Sequence, residues 1–357
     1  MKLIAYYLPQ FHEIPENDEW WGKGFTEWVN VKKSKPLYKG HQQPRVPLND
    51  YYYDLTEKST MEWQTELMHK YNVYGLCYYH YWFSGKKLLE KPAENLLKYK
   101  DISQNFCFCW ANATWRKTWT KGNEILLEQT YGDKDEWKAH LDYLLPFFKD
   151  ERYIKVDNKP VFVVLNMYLI SNVKERFTYY DEYCKEHGFS GIELVQSING
   201  RLQQVFDFVP AITLREPSIT HFSINSFISR VIIHLKKNKK FNLFYKPLIY
   251  KWEKISEESL KYANALETEK RVYLGSFKEW DSTSRHGKHG YVITKPTPKQ
   301  FEDYMNGIKK ITKTKKNVSE YVFFTAWNEW CECCYLEPDT ENGNDYLDVV
   351  KRCCENG

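Results

Sequence analysis

The segment Ala326-Trp327-Asn328-Glu329-Trp330-Cys331-Glu332 sets two carboxylates three residues apart, directly after an apolar run. Cleaving a glycosidic bond needs such a pair: one acid protonates the leaving oxygen and one base activates the nucleophile. Two glutamates also arise by chance, and an exposed Glu is commonly only solvated. An Asn-Glu dipeptide that closes a buried apolar strand is the narrower pattern, so Glu329 and Glu332 are the candidate catalytic residues. Neighbouring Cys331, Cys333 and Cys334, with His286 or His289, suggest zinc at first sight. The spacing Cys-x-Cys-Cys matches no common structural zinc pattern, so the cysteines read as small packing residues and no metal or other cofactor is expected.

Eight short apolar runs could position this chemistry: Leu3–Leu8, Val73–Tyr79, Phe106–Ala111, Val161–Asn166, Ile192–Ser197, Phe208–Leu214, Val272–Phe277 and Val322–Trp327. Their β-branched and aromatic content is that of strands covered on both faces. Helical periodicity lies between or after them over Thr60–Tyr71, Asp135–Phe148, Val173–His187, Glu257–Leu266, Lys299–Ile311 and Asn344–Arg352. Strand and helix alternating eight times predicts a single (β/α)8 TIM-type barrel over 1–357. A doubly wound open sheet is the alternative, weakened because no Gly-rich fingerprint follows the first strand. Gln10–Asp54 reads as an elaborated first loop, and Pro217–Ile255 as a long insertion between strands six and seven.

In such a barrel the site is built at the C-terminal ends of the strands. Those ends deliver Gln10 and His12; His80, Tyr81 and Trp82; Trp110 and Asn112; Asn166; Gln196; Arg215 and Glu216; Glu279, Trp280 and Asp281; and Trp327, Asn328, Glu329, Trp330 and Glu332. Carboxylates, amides, histidines and tryptophans together suit a sugar. Aromatic residues make up 17% of the chain, with 13 Trp and 28 Tyr, which fits either an aromatic-lined glycan cleft or a Tyr-rich core.

A length of 357 residues is ordinary for one elaborated barrel and large enough to bury its own core. The net charge of +4 gives no reason to expect nucleic acid as partner. Nine cysteines, an odd number with several adjacent, fit reduced thiols better than a disulfide framework. The chain starts at once on a strand-like run without a signal-peptide pattern, and no apolar stretch is long enough to span a bilayer. A cytoplasmic protein is the expectation. Lys236-Lys237-Asn238-Lys239-Lys240, flanked by apolar residues within 228–251, reads either as peripheral contact with anionic membrane or a lipid-linked substrate, or as a solvated lysine face.

Several motifs now combine in order: Ala5-Tyr6-Tyr7-Leu8-Pro9-Gln10-Phe11-His12, Pro15-Glu16-Asn17-Asp18-Glu19-Trp20-Trp21-Gly22, Gly24-Phe25-Thr26-Glu27-Trp28 and Gly40-His41-Gln42-Gln43-Pro44. They continue with Tyr79-His80-Tyr81-Trp82-Phe83, Cys109-Trp110-Ala111-Asn112, Trp280-Asp281, Ala326-Trp327-Asn328-Glu329-Trp330 and Leu336-Glu337-Pro338-Asp339. In these motifs the chain resembles WbsX-type proteins of bacterial polysaccharide gene clusters, which are similar to glycoside hydrolase family 99. The resemblance implies a (β/α)8 barrel, a surface-polysaccharide pathway (O-antigen or capsule) and an α-linked manno-type glycan. It also implies retaining chemistry through the sugar's own 2-hydroxyl. Glu329 would take the proton of that hydroxyl, and Glu332, desolvated by Trp330 and the cysteines, would protonate the leaving oxygen. Tyr7, Trp28 and Arg285 join the expected substrate contacts on the same ground. The chain departs from the family pattern at Ala113 and Thr114, where relatives commonly carry an acidic residue and Asn. It departs again at Ser282 and Ser284, where relatives commonly carry Asn and Pro, and at Cys333-Cys334. Two alternatives stay open: a glycosyltransferase acting on a lipid-linked glycan, and a glycan-binding barrel without turnover.

Overall fold

The computed structural model describes residues 1–117, 124–224 and 246–354. Eight parallel strands form its centre: β1 (Lys2–Tyr7), β2 (Val73–Phe83), β3 (Asn105–Trp110), β4 (Lys159–Val164), β5 (Glu193–Ile198), β6 (Ala211–Leu214), β7 (Arg271–Phe277) and β8 (Val318–Thr325). Each pairs in parallel with its sequence neighbour, and β8 pairs with β1, so the sheet closes. This is the expected (β/α)8 barrel. Every strand position of β5 and β6, and all but the first of β1, β3, β4 and β7, is buried, because barrel contents cover one face and helices the other.

The first loop carries two short helices, α1 (Pro15–Trp21) and α2 (Glu27–Lys33). The outer layer is α3 (Lys58–Lys70), α4 (Lys91–Lys98), α5 (Lys134–Lys149), α6 (Val173–Glu186), α7 (Ser218–Ile224), α8 (Trp252–Ala265), α9 (Pro298–Thr314) and α10 (Asp345–Cys353). The structure adds one helix to the periodic stretches and breaks the expected alternation once. Helix α4 follows β2 although its eight residues are too short for periodicity to stand out. No helix joins β5 to β6; residues 199–210 cross as turns, held where Gln196 Nε2 donates to the Gln204 carbonyl and the Phe206 N–H donates to Gln196 Oε1. The basic run and most of 228–251 lie outside the described residues.

β6 and β7 approach closely at Gly275, where a Cβ would stand 1.7 Å from the Leu214 carbonyl oxygen, so only glycine fits. The approach fixes the strand end that carries Arg215. All nine cysteines are buried. Among the described residues no helix is long and apolar enough to cross a membrane.

Candidate active site

At the C-terminal end of the barrel lies a cavity of about 540 Å³. β8 ends at Thr325, and the chain then makes a tight hairpin: Asn328 and Glu329 pair antiparallel with Tyr335 and Cys334 across a helical turn at Trp330–Glu332. Cys333 turns the chain back with φ 53, a left-handed conformation unusual for a residue with a Cβ. The Trp330 ring stacks on Tyr335 at 3.8 Å between centroids, and its Nε1 donates to Glu337 at 2.7 Å. Asn328 ties the hairpin to the β1 exit: its Oδ1 accepts from the Leu8 N–H at 2.8 Å, and its Nδ2 donates to the Leu8 carbonyl at 3.0 Å. Glu337 also accepts from Tyr53 and Gln64, at 2.7 Å each, beneath the hairpin. The turn thereby aims both glutamates into one space, and both line the cavity.

A carboxylate oxygen of Glu329, one of Glu332 and Cys334 Sγ all lie within 4.8 Å of one another. Burial and then the charge of Glu332 push the Glu329 carboxyl up to about 7, against the opposing pull of Arg215. Its Oε1 is buried without a hydrogen-bond partner. Glu332 is ion-paired instead: Arg285 Nη1 stands 2.9 Å from its Oε1. Arg285 Nη2 reaches Glu27 Oε2 at 3.3 Å, so one guanidinium bridges the eighth-strand hairpin to the start of α2. Glu329 is buried, whereas Glu332 is only half-buried and holds the Arg285 contact. Burial, followed by the charge of Glu329, raises the Cys334 thiol well above its ordinary range. A neutral thiol, two carboxylates and two nearby guanidiniums suit a shared proton better than a cation.

Of the residues expected to touch substrate, Gln10, Tyr81, Trp280 and Arg285 line this cavity with Glu329 and Glu332. The others do not. His80 and Trp82 face outward from β2: His80 Nε2 lies 2.8 Å from His140 Nε2 on α5, and Trp82 stacks on His140 while donating to Glu136. Trp110 packs against the same histidine and under the Arg176 guanidinium. Tyr7 points outward to Gln64 of α3. His12 is buried under the first loop, where desolvation holds its imidazole below the ordinary range. Trp28 packs between Phe11, Tyr53 and Trp330. Asn112 braces Asn166 through that residue's N–H and carbonyl, and Gln196 braces the β5–β6 crossing. Asp281 accepts from Gln43 and the Thr283 N–H and pairs with His41 at 2.7 Å, fixing the short turn that presents Arg285. Trp327 and Trp330 are buried in the hairpin's base, and Asn328 is the clamp to Leu8. These residues hold the walls rather than forming them.

The cavity also contains residues that strand-end reasoning passed over, notably Glu27, Tyr79, Trp21 and Trp115. Tyr79 could have been found from the period-2 rule, since it shares a face with Tyr81. Glu27 carried one signal, an acid opening a helix in a motif-rich loop, but only the closed fold brings that loop over the mouth.

A family model described as Glycosyltransferase WbsX matches residues 3–350. The chain belongs to this family. It is 30% identical over 354 residues, 98% of its length, to the uncharacterized protein WxcX of Xanthomonas campestris pv. campestris strain B100. The chain spans 49% of that relative, about half the length of the curated relatives it matches. Its fold is similar to the GH99 endo-alpha-mannosidase from Bacteroides thetaiotaomicron, at a TM-score of 0.58 and 12% identity, covering 98% of this chain and 96% of that one. A glycoside hydrolase-like protein matches at TM-score 0.59 and 14% identity, covering 100% and 94%. The family model shows the family, and the solved structures, at 12% and 14% identity, show the fold.

Proposed function

We propose that this chain is a retaining glycosidase or transglycosidase acting on an α-linked manno-type glycan of a surface polysaccharide, with Glu329 and Glu332 as its acid/base pair. The observation that carries the reading is their separation. Carboxyl oxygens within 4.8 Å leave no room for the water that an inverting enzyme holds between its carboxylates, which are then roughly 6.5–9.5 Å apart.

The chemistry runs through the sugar's 2-hydroxyl. Glu329 takes the O2 proton; O2 bonds to C1 from the face opposite the leaving group; the C1–O bond breaks, and Glu332 gives its proton to the departing oxygen. In the second half Glu332 takes a proton from water or an acceptor hydroxyl, whose oxygen bonds to C1. The C1–O2 bond breaks and Glu329 returns the proton to O2. Each half needs one proton on the pair. Burial at Glu329 and mutual repulsion favour keeping one up to about pH 7. In the free site Arg285 holds Glu332, so a glycosidic oxygen arriving there must take Arg285's place for the proton to settle on Glu332.

The family description favours a second reading, sugar transfer from an activated donor. Incubation with α-mannosyl oligosaccharides, and separately with nucleotide sugars plus acceptor, distinguishes the two when E329Q and E332Q are run alongside. Glycan cleavage lost in both variants supports the first reading. Donor-dependent transfer unaffected by either substitution overturns it.

A further inference from the structure

The interior arginines of the described chain share a habit that one of them breaks. Arg45 has Glu279 at 2.7 Å, Arg152 has Asp150 at 2.8 Å, Arg176 has Glu136 at 3.0 Å and Arg285 has Glu332 at 2.9 Å. Arg215, at the exit of β6 and on the cavity wall, makes no ion pair among the described residues. Its Nη2 donates to the Tyr79 hydroxyl at 2.7 Å, and its guanidinium lies 5.5 Å from the Tyr6 ring centroid and 5.6 Å from that of Tyr79. Ring faces and a phenol orient a cation without neutralising it. Glu329 acts on the Arg215 charge through space without forming an ion pair, so the half-buried guanidinium keeps donors free to meet an anion in the cavity.

The cavity is divided in the same sense. Glu27, Glu329 and Glu332 enter from the first loop and the β8 hairpin. The wall built by the exits of β4, β5 and β6 presents Asn166, Asn199, Arg215 and Ser218, with no carboxylate. An anionic group would be repelled from the first side and drawn to the second, where the planar guanidinium suits two-point binding of an oxyanion.

The geometry points to Arg215 as the centre of an oxyanion subsite: the sugar bound in this cavity carries an anionic group, the carboxylate of an acidic sugar or the phosphate of an activated one, placed on the β4–β6 wall. This rests on the reading of the cavity as a sugar site and names the class of sugar.

Binding is measured by calorimetry in the E332Q background, which stops turnover but leaves Arg215 and its ring partners unchanged. The probes are α-mannotriose, the same trisaccharide oxidised at C6 to uronates, and GDP-mannose. The expectation is that uronate or GDP-mannose binds at least about tenfold more tightly than mannotriose, that added salt erodes this preference, and that R215M removes it while R215K keeps part of it; tenfold is the lower end for a charge-assisted pair. Whichever of the two anionic probes shows the Arg215-dependent gain identifies the source of the anion. Equal binding of all three probes before Arg215 is altered overturns the proposal, and needs no further variant to fold. Preference that survives R215M also overturns it. So does an R215M effect confined to the pH profile of turnover in a protein with Glu332 intact, since Arg215 would then serve only the Glu329 charge. Binding is read without turnover, so failure of the acid/base reading would show in the E329Q and E332Q rates and leave this result standing.

Discussion

The two faces of β2 carry similar residues and do opposite work. Tyr79 and Tyr81 point into the barrel and line the cavity. His80 and Trp82, between and beside them, point outward and lock onto α5 through His140, Glu136 and Tyr143. Tyr, His and Trp are all sugar-binding types, so residue type alone does not separate wall from scaffold. The pleat does, because successive side chains alternate between the barrel interior and the helical layer. The inner face can bear on turnover directly. The outer face acts through the stability of the strand that holds it.

The sharpest way to test that division is to remove the groups assigned to chemistry. E329Q or E332Q should lower turnover by about 10²–10⁴, the usual worth of a positioned acid or base, with unchanged circular dichroism and melting. Loss of folding in both would break the comparison from the inner side.

The outer face should answer in stability. His80→Ala removes a buried ring and strands His140 Nε2, so it should cost about 2–4 kcal/mol in urea unfolding, while the pH dependence of turnover keeps its shape. A pH series sharpens this. Burial lowers the His80 imidazole to about 3, so it stays neutral in the fold while the unfolded chain protonates near 6.5. The unfolded state then binds more protons between those values, and stability falls as pH drops through that window. His80→Phe should flatten that loss.

Turnover should show the opposite edge. The pair gives up its shared proton as pH rises through about 7, so kcat/KM should fall above it. Glu332→Gln removes the like charge and should move the Glu329 titration downward, readable by carboxyl infrared absorption or NMR. An unmoved titration would mean that burial alone sets it.

The smallest effect is expected at the boundary between the faces. Tyr79→Phe keeps the ring beside Arg215 and removes only the hydroxyl that accepts from it. It should change stability by about 1 kcal/mol, the worth of one ordinary hydrogen bond, and affect mainly substrate affinity.

Much of the fold was legible in the chain. Eight apolar runs matched eight barrel strands to within a few residues, because strands covered on both faces must be apolar along nearly their whole length. The sixth run began early, at Phe208 rather than Ala211, since Phe208 and Val209 are apolar packing residues of the preceding turn. The α4 helix was too short to announce itself, whereas the missing helix between β5 and β6 agrees with the lack of helical periodicity between Ser197 and Phe208.

The site was legible at one point. Glu329 and Glu332 stood out because an Asn-Glu pair at the close of an apolar strand is costly unless something uses it. Their different surroundings were not legible. Burial falls on Glu329 and an arginine on Glu332 through a hairpin, a first loop and a seventh-strand turn that meet only in space. By itself the sequence determined the strands, their parallel order and the catalytic candidates, since those follow from local pattern. Only the tertiary structure decided which aromatic side chains face the cavity, how Glu27 and Arg285 reach it, and that Arg215 makes no ion pair among the described residues. Such facts depend on which distant side chains share a dielectric and a hydrogen bond, and local pattern carries neither.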